Sequence, residues 1–151
     1  MKKITLLLLS LLLANTSFAA DKLNKSSATR LVQDFYDTLK SRNDKKLESL
    51  IANQASIKLT LLQMQQSFTL SKADYLQQIK AAWYFGKDDS YELDDIQYTP
   101  STTGDTATVS FKLKSSRFIL GETISQEDTV DMGLEWSDNA LKIVSIQGLT
   151  H

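Results

Sequence analysis

The chain has 151 residues, 42% of them hydrophobic, with a formal charge of −1, no cysteine and one histidine. That length suits a single domain with a core of ordinary size. The composition excludes disulfides, a lipid-modified N-terminal cysteine, a clustered Cys/His metal site, a basic nucleic-acid surface and, with His151 as the only imidazole, a Ser-His-Asp triad.

Residues 1–19 read as a leader. Lys2 and Lys3 precede the apolar run Ile4–Ala14, and Ser17-Phe18-Ala19 offers a small-x-small cleavage site. The run is short for a bilayer span, which needs about 20 residues, so cleavage after Ala19 is expected and an uncleaved anchor is the alternative. The remaining domain, 20–151, carries 15 basic against 18 acidic side chains, a net charge of −3. An exported compartment, most simply a bacterial periplasm, is the expected address.

Ser26 or Ser27 would cap a first helix with Ala28, Leu31, Val32, Phe35 and Leu39 on one stripe. Ser41–Asp44 breaks it, and Asn43 or Asp44 opens a shorter helix burying Leu47, Leu50 and Ile51. Residues 56–62 read as a strand with Ile57, Leu59 and Leu61 on one face. After a Gln- and Met-containing connection, Ser71 and Asp74 resemble a capping box for a helix carrying Tyr75, Leu76, Ile79, Ala82 and Trp83, which Gly86 ends.

Strand 91–99 follows, closed by Pro100 and the Ser-Thr-Thr-Gly-Asp turn. From Thr106 the alternation is strict: Ala107, Val109, Phe111 and Leu113 face one way, and Ile124, Val130, Met132, Leu134 and Trp136 answer on the next strand. A turn at Leu120-Gly121 sets Phe111 beside Val130 and Lys114 beside Glu127. A second turn at Asp138-Asn139 would then place Leu141, Ile143, Ser145, Gln147 and Leu149 inward. Helices gathered early and antiparallel strands late indicate an α+β fold.

Val32-Gln33-Asp34-Phe35-Tyr36-Asp37-Thr38-Leu39, then Asn43-Asp44, Leu47 and Leu50-Ile51, resembles the opening of nuclear transport factor 2-like domains, the superfamily of SnoaL-type cyclases and ketosteroid isomerases. The closing Trp136…Leu141-Lys142-Ile143 hairpin is similar too. The resemblance implies a curved antiparallel sheet wrapped around N-terminal helices, a cone with a pocket at its wide end. It also implies a helix-one tyrosine as oxyanion donor and a first-strand carboxylate as base. The matching positions here are Phe35 and Leu59, which supply neither.

With the expected register, Arg117, Glu122, Gln126, Asp128 and Gln147 point inward as polar pocket candidates, joined by Tyr36 and Trp83. Arg117 and Glu122 would be diagonal neighbours, and Asp128 would lie beside Gln147. The plain alternative is a solvated cone mouth with one exposed ion pair. The aromatic run Trp83-Tyr84-Phe85 would pack the third helix onto the sheet or serve as a lid. Asp88, Asp89, Glu92, Asp94 and Asp95 lack calcium-loop spacing and read as a solvated loop. Asn24-Lys25-Ser26 matches a glycosylation triplet. Val144 and Ile146 would lie on the outer sheet face, a small apolar patch fit for a weak homodimer.

No cofactor, metal or nucleic acid is expected. The first functional expectation is a non-enzymatic binding or accessory domain, its partner a small molecule, a peptide or another envelope protein. An isomerase-like enzyme with relocated groups, Asp128 serving as acid/base, is the second. A component of a secretion or assembly system is the third.

Overall fold

The computed structural model describes residues 22–151; the leader expected at 1–19 lies outside them. The elements are α1 (Lys25–Ser41), α2 (Asp44–Leu50), β1 (Ile51–Leu61), β2 (Gln66–Leu70), α3 (Lys72–Phe85), β3 (Gly86–Pro100), β4 (Thr106–Ile119), β5 (Glu122–Ser137) and β6 (Ala140–Thr150). The expected order holds with β2 added. Gln66, Ser67, Phe68 and Thr69 are all exposed, so this edge strand has no buried face to write into its sequence.

Each helix begins at a side-chain cap. Asn24, rather than Ser26 or Ser27, caps α1: its side chain accepts from the Ser27 N–H, and the Ser27 hydroxyl accepts from the Asn24 N–H. Asn43 caps α2 and Ser71 caps α3. Among the described residues, no helix is long and apolar enough to cross a membrane.

The strands form one curved sheet in the order β2-β1-β6-β5-β4-β3. Every pair is antiparallel except β1 with β6, which run parallel from Ile57↔Ile146 to Leu61↔Thr150. The β4–β5 register is the expected one, Phe111↔Val130 and Lys114↔Glu127. Both tight turns have positive φ at their two central residues, Leu120-Gly121 and Asp138-Asn139, the geometry that matches strand twist.

The concave face meets α1. Phe35 and Val32 of the helix are fully buried against Ile57, Val109, Met132, Leu134 and Ile143. Each such side chain contributes about 1.5–3 kcal/mol on leaving water, and together they anchor α1 inside the sheet's curve.

Bulges correct several expected facings. In β6, Ile143 pairs with Leu134 while Ser145 pairs with Gly133, so Val144 is an extra residue. Past that point parity inverts. Ile146, expected outside, is buried at 3% exposure; Gln147, expected inside, is exposed and pairs with Asp131. The outer apolar patch therefore loses Ile146. Asp128 sits across from Thr150, not beside Gln147. In β3, bulges at Lys87–Ser90 and Asp94–Gln97 include Asp88 and Asp95 at positive φ.

Candidate functional site

Between α3 and the concave face lies a cavity of about 250 Å³. Helix α1 contributes Tyr36 and Leu39, α3 contributes Tyr75, Gln78, Ile79 and Ala82, and the strands supply Leu59, Tyr91, Leu113, Ser115, Arg117, Asp128, Val130 and Ile146. An apolar wall thus surrounds three phenols, one carboxylate and one guanidinium. The volume lies just below the ~300–1,000 Å³ typical of sites for drug-sized ligands.

Tyr36 is held by aromatic packing: Phe35, Tyr91 and Phe111 surround its ring at centroid distances of 5.2, 5.3 and 5.7 Å. Burial pushes its phenol well above the ordinary value, and the nearby Tyr75, Asp128 and Tyr91 add to the effect. Tyr75 is raised chiefly by burial, then by Tyr91 and Asp128. Both phenols are therefore neutral donors at any physiological pH. Neither hydroxyl has a hydrogen-bond partner among the described residues.

Asp128 accepts from Gln126 Nε2 through both oxygens, at 2.8 and 2.9 Å, and the same nitrogen donates to Thr150 Oγ1 at 3.2 Å. The amide fixes the carboxylate's orientation on the cavity wall.

Arg117 is fixed from behind. Its Nε donates to Asp89 Oδ1, and its Nη2 donates to the Tyr91 hydroxyl at 3.3 Å. Burial works against the Arg117 cation, but the hydrogen bond and charge of Asp89 outweigh it and hold the group above its ordinary value. Asp89 in turn accepts from Arg42 Nη2 at 3.2 Å. Arg42 closes α1 in the left-handed conformation and also donates to the carbonyls of Trp83 and Gly86, at 2.6 and 2.7 Å. One carboxylate, 2% exposed, thus ties the end of α1 to the α3–β3 junction and to the cavity wall.

Burial, then the Asp89 charge, raises the Tyr91 phenol, while Arg117 and Arg42 oppose the shift. Gly86 makes room for this arrangement: a Cβ there would overlap Arg117 Cδ and Cγ.

Tyr36, Arg117 and Asp128 are thus brought together, and the other candidates lie elsewhere. Glu122 is exposed at the β4–β5 hairpin tip, paired with Ile119, and Arg117 bonds Asp89 instead of it. Gln126 touches the site only through Asp128. Gln147 faces outward for the reason given above. Trp83 packs beside the core outside the cavity, its indole nitrogen buried without a partner among the described residues. Phe35, at the tyrosine position of the resembled isomerases, is 0% exposed and also outside the cavity; the hydroxyl comes from its neighbour Tyr36. Leu59 lines the cavity as an apolar wall.

Tyr75, Tyr91, Arg42 and Asp89 escaped the sequence reading. Asp89 carried no distinguishing signal within its acidic run, because the bulge beginning at Asp88 is what turns it inward. Among the described residues, no group of three or more His, Asp or Glu could hold a metal ion.

Solved structures share this architecture. The β subunit of benzoate 1,2-dioxygenase from Burkholderia mallei superposes with a TM-score of 0.72 at 13% identity, over 85% of this chain and 91% of that one. An NTF2-like protein from Cytophaga hutchinsonii gives 0.69 at 10% identity, over 85% and 100%. The fold is that of the nuclear transport factor 2-like domains. A protein with a cystatin-like fold from Caulobacter vibrioides is likewise similar, with a TM-score of 0.67 at 10% identity, over 83% of this chain and 88% of that one. No protein-family model and no curated protein sequence matches the chain. Within the nuclear transport factor 2-like fold the cavity occupies the interior of the cone, where the curved sheet and α3 close on α1.

Proposed function

We propose that this nuclear transport factor 2-like domain is an exported binding protein for a compact, mostly apolar small molecule that carries an acceptor oxygen. The observation that carries the reading is the pair of neutral phenols, Tyr36 and Tyr75, facing an apolar cavity without partners among the described residues. A ligand carbonyl or ether oxygen would satisfy them, and the apolar wall would take the ligand body. The leader-like residues 1–19 support export to the periplasm.

Native mass spectrometry of the protein purified without denaturation from the cell envelope tests the reading. A bound small molecule that is lost in the Tyr36→Phe, Tyr75→Phe double variant supports it. A protein that emerges clean, and whose melting temperature is unmoved by a panel of small cyclic ketones and phenols, overturns it.

A second reading has its own support. Asp128 lies beside the same two phenols, so a proton acceptor and two donors share one cavity. Acid/base turnover of the bound molecule would then cease in Asp128→Asn while binding persists.

A further inference from the structure

One charge in the cavity has no counter-charge. Asp128 stands on its wall, and among the described residues no lysine or arginine pairs with it. The Gln126 amide holds both carboxylate oxygens, but an amide brings no positive charge.

The cavity's other ionised group is already engaged. Arg117 gives its Nε to Asp89 and its Nη2 to the Tyr91 hydroxyl. It also lies four residues along β4 from Leu113, the residue opposite Asp128, which is about 13 Å of strand. Arg42, the second cation on Asp89, is not among the cavity's walls. Of the charged side chains, Asp128 acts on both the Tyr36 and the Tyr75 phenol, and neither arginine does. The phenol side of the cavity is therefore electronegative.

The surroundings of this carboxylate suit one kind of cation. Tyr36, Tyr75 and Tyr91 bring three aromatic rings to the same space, and the rings of Tyr36 and Tyr91 lie 5.3 Å apart. Leu59, Leu113, Val130 and Ile146 add aliphatic surface. Aromatic rings attract cations through the negative charge of their faces. A primary ammonium is a compact, strongly hydrated charge, and aliphatic walls offer nothing in place of its water. An alkylated ammonium carries its charge beneath carbon groups, gives up less hydration, and can lay those groups against rings and aliphatic side chains. An anion would have to enter beside an unpaired carboxylate, a juxtaposition that costs affinity.

We propose that the ligand of this cavity is an alkylated amine, tertiary or quaternary, whose cation pairs with Asp128 while its acceptor oxygen meets the Tyr36 and Tyr75 hydroxyls. The inference rests on the binding reading above and adds to it the charge of the ligand.

Three aryl methyl ketones test it: para-acetyl-trimethylanilinium, its neutral isostere para-tert-butylacetophenone, and para-acetylbenzoate. Each is titrated calorimetrically into the protein as purified from the cell envelope. The cation should bind at least about tenfold more tightly than the isostere, and the benzoate should bind least. Asp128→Asn keeps the shape of the side chain and removes its charge, so the cation-to-isostere ratio should fall to about one. The wild-type comparison needs no variant and decides by itself if Asp128→Asn does not fold. An isostere that binds as well as the cation overturns the inference and leaves the binding reading standing. A preference for the benzoate, or a cation preference that survives in folded Asp128→Asn, overturns it too. If none of the three binds at millimolar concentration the inference is likewise overturned, and the reading beneath it falls as well when native mass spectrometry finds the protein empty.

Discussion

Replacing Asp89 by Asn keeps the shape of the side chain and removes the charge that two arginines share. In the wild type that carboxylate is 2% exposed, whereas the Arg42 and Arg117 side chains are 34% and 22% exposed. Removing one member of a buried ion pair costs about 3–5 kcal/mol because the surviving charge is left without compensation. Here both cations retain some water, and Arg42 keeps its bonds to the Trp83 and Gly86 carbonyls, so we expect about 2–3 kcal/mol, within the span of one or two charge-assisted hydrogen bonds. For a domain of this size the melting temperature would fall by about 6–12 °C.

Denaturant unfolding gives the free energy directly. Because the carboxylate is shielded, the loss should persist at high salt, where an exposed pair would fade. A double-mutant cycle with Arg117→Met assigns the interaction; a coupling of about 1 kcal/mol or more is expected. Destabilisation of Asp89→Asn below about 0.5 kcal/mol, the range of ordinary surface changes, would refute the view that this carboxylate clasps the helices to the sheet.

Phe35→Tyr, which installs the residue of the resembled isomerases, places a hydroxyl in the fully buried core and not in the cavity; a loss of about 1–3 kcal/mol by denaturant melt is expected, with no gain of ligand binding. Spectrophotometric titration should find the Tyr36, Tyr75 and Tyr91 phenols still protonated at pH 10. Since their folded values are raised, the stability they confer is fully present below pH ~10 and is lost as pH climbs through the folded values. Asp128→Asn should lower the Tyr36 and Tyr75 values only modestly, because burial is the larger cause. Gly86→Ala should displace Arg117, costing about 1–3 kcal/mol as overpacking does; calorimetry checks it, and a wild-type melting temperature would count against the close approach.

The meander was legible wherever one face of a strand meets the core. Ala107 to Leu113 and Val130 to Leu134 wrote their register in strict alternation, and the two turns pinned it. Legibility ended at the bulges. One extra residue, Val144, exchanged the roles of Ile146 and Gln147, and the bulge beginning at Asp88 turned Asp89 from solvent to the interior. Single insertions of this kind leave composition and periodicity almost unchanged, so an alternation count cannot see them. The site suffered accordingly: Tyr36, Arg117 and Asp128 lie on unbroken segments, whereas Asp89 and Gln147 lie on or beyond a bulge. Glu122 failed for another reason, since a hairpin tip faces water whatever its parity.

The parallel seat of β1 beside β6 has a consequence for how the chain is made. β1 lies near the start of the domain, yet its neighbour on the core side is the last strand, with Ile57 opposite Ile146. No earlier segment offers β1 that bonding partner, so a ribosome must deliver the chain through β6 before β1 gains its neighbour on that side. Contacts so distant in sequence form slowly, and until they form, the nascent polypeptide lacks a finished core. Without β6, β1 and β2 would be cut off from β5, β4 and β3, and α1 would keep only the half of its core that Val109, Met132 and Leu134 supply.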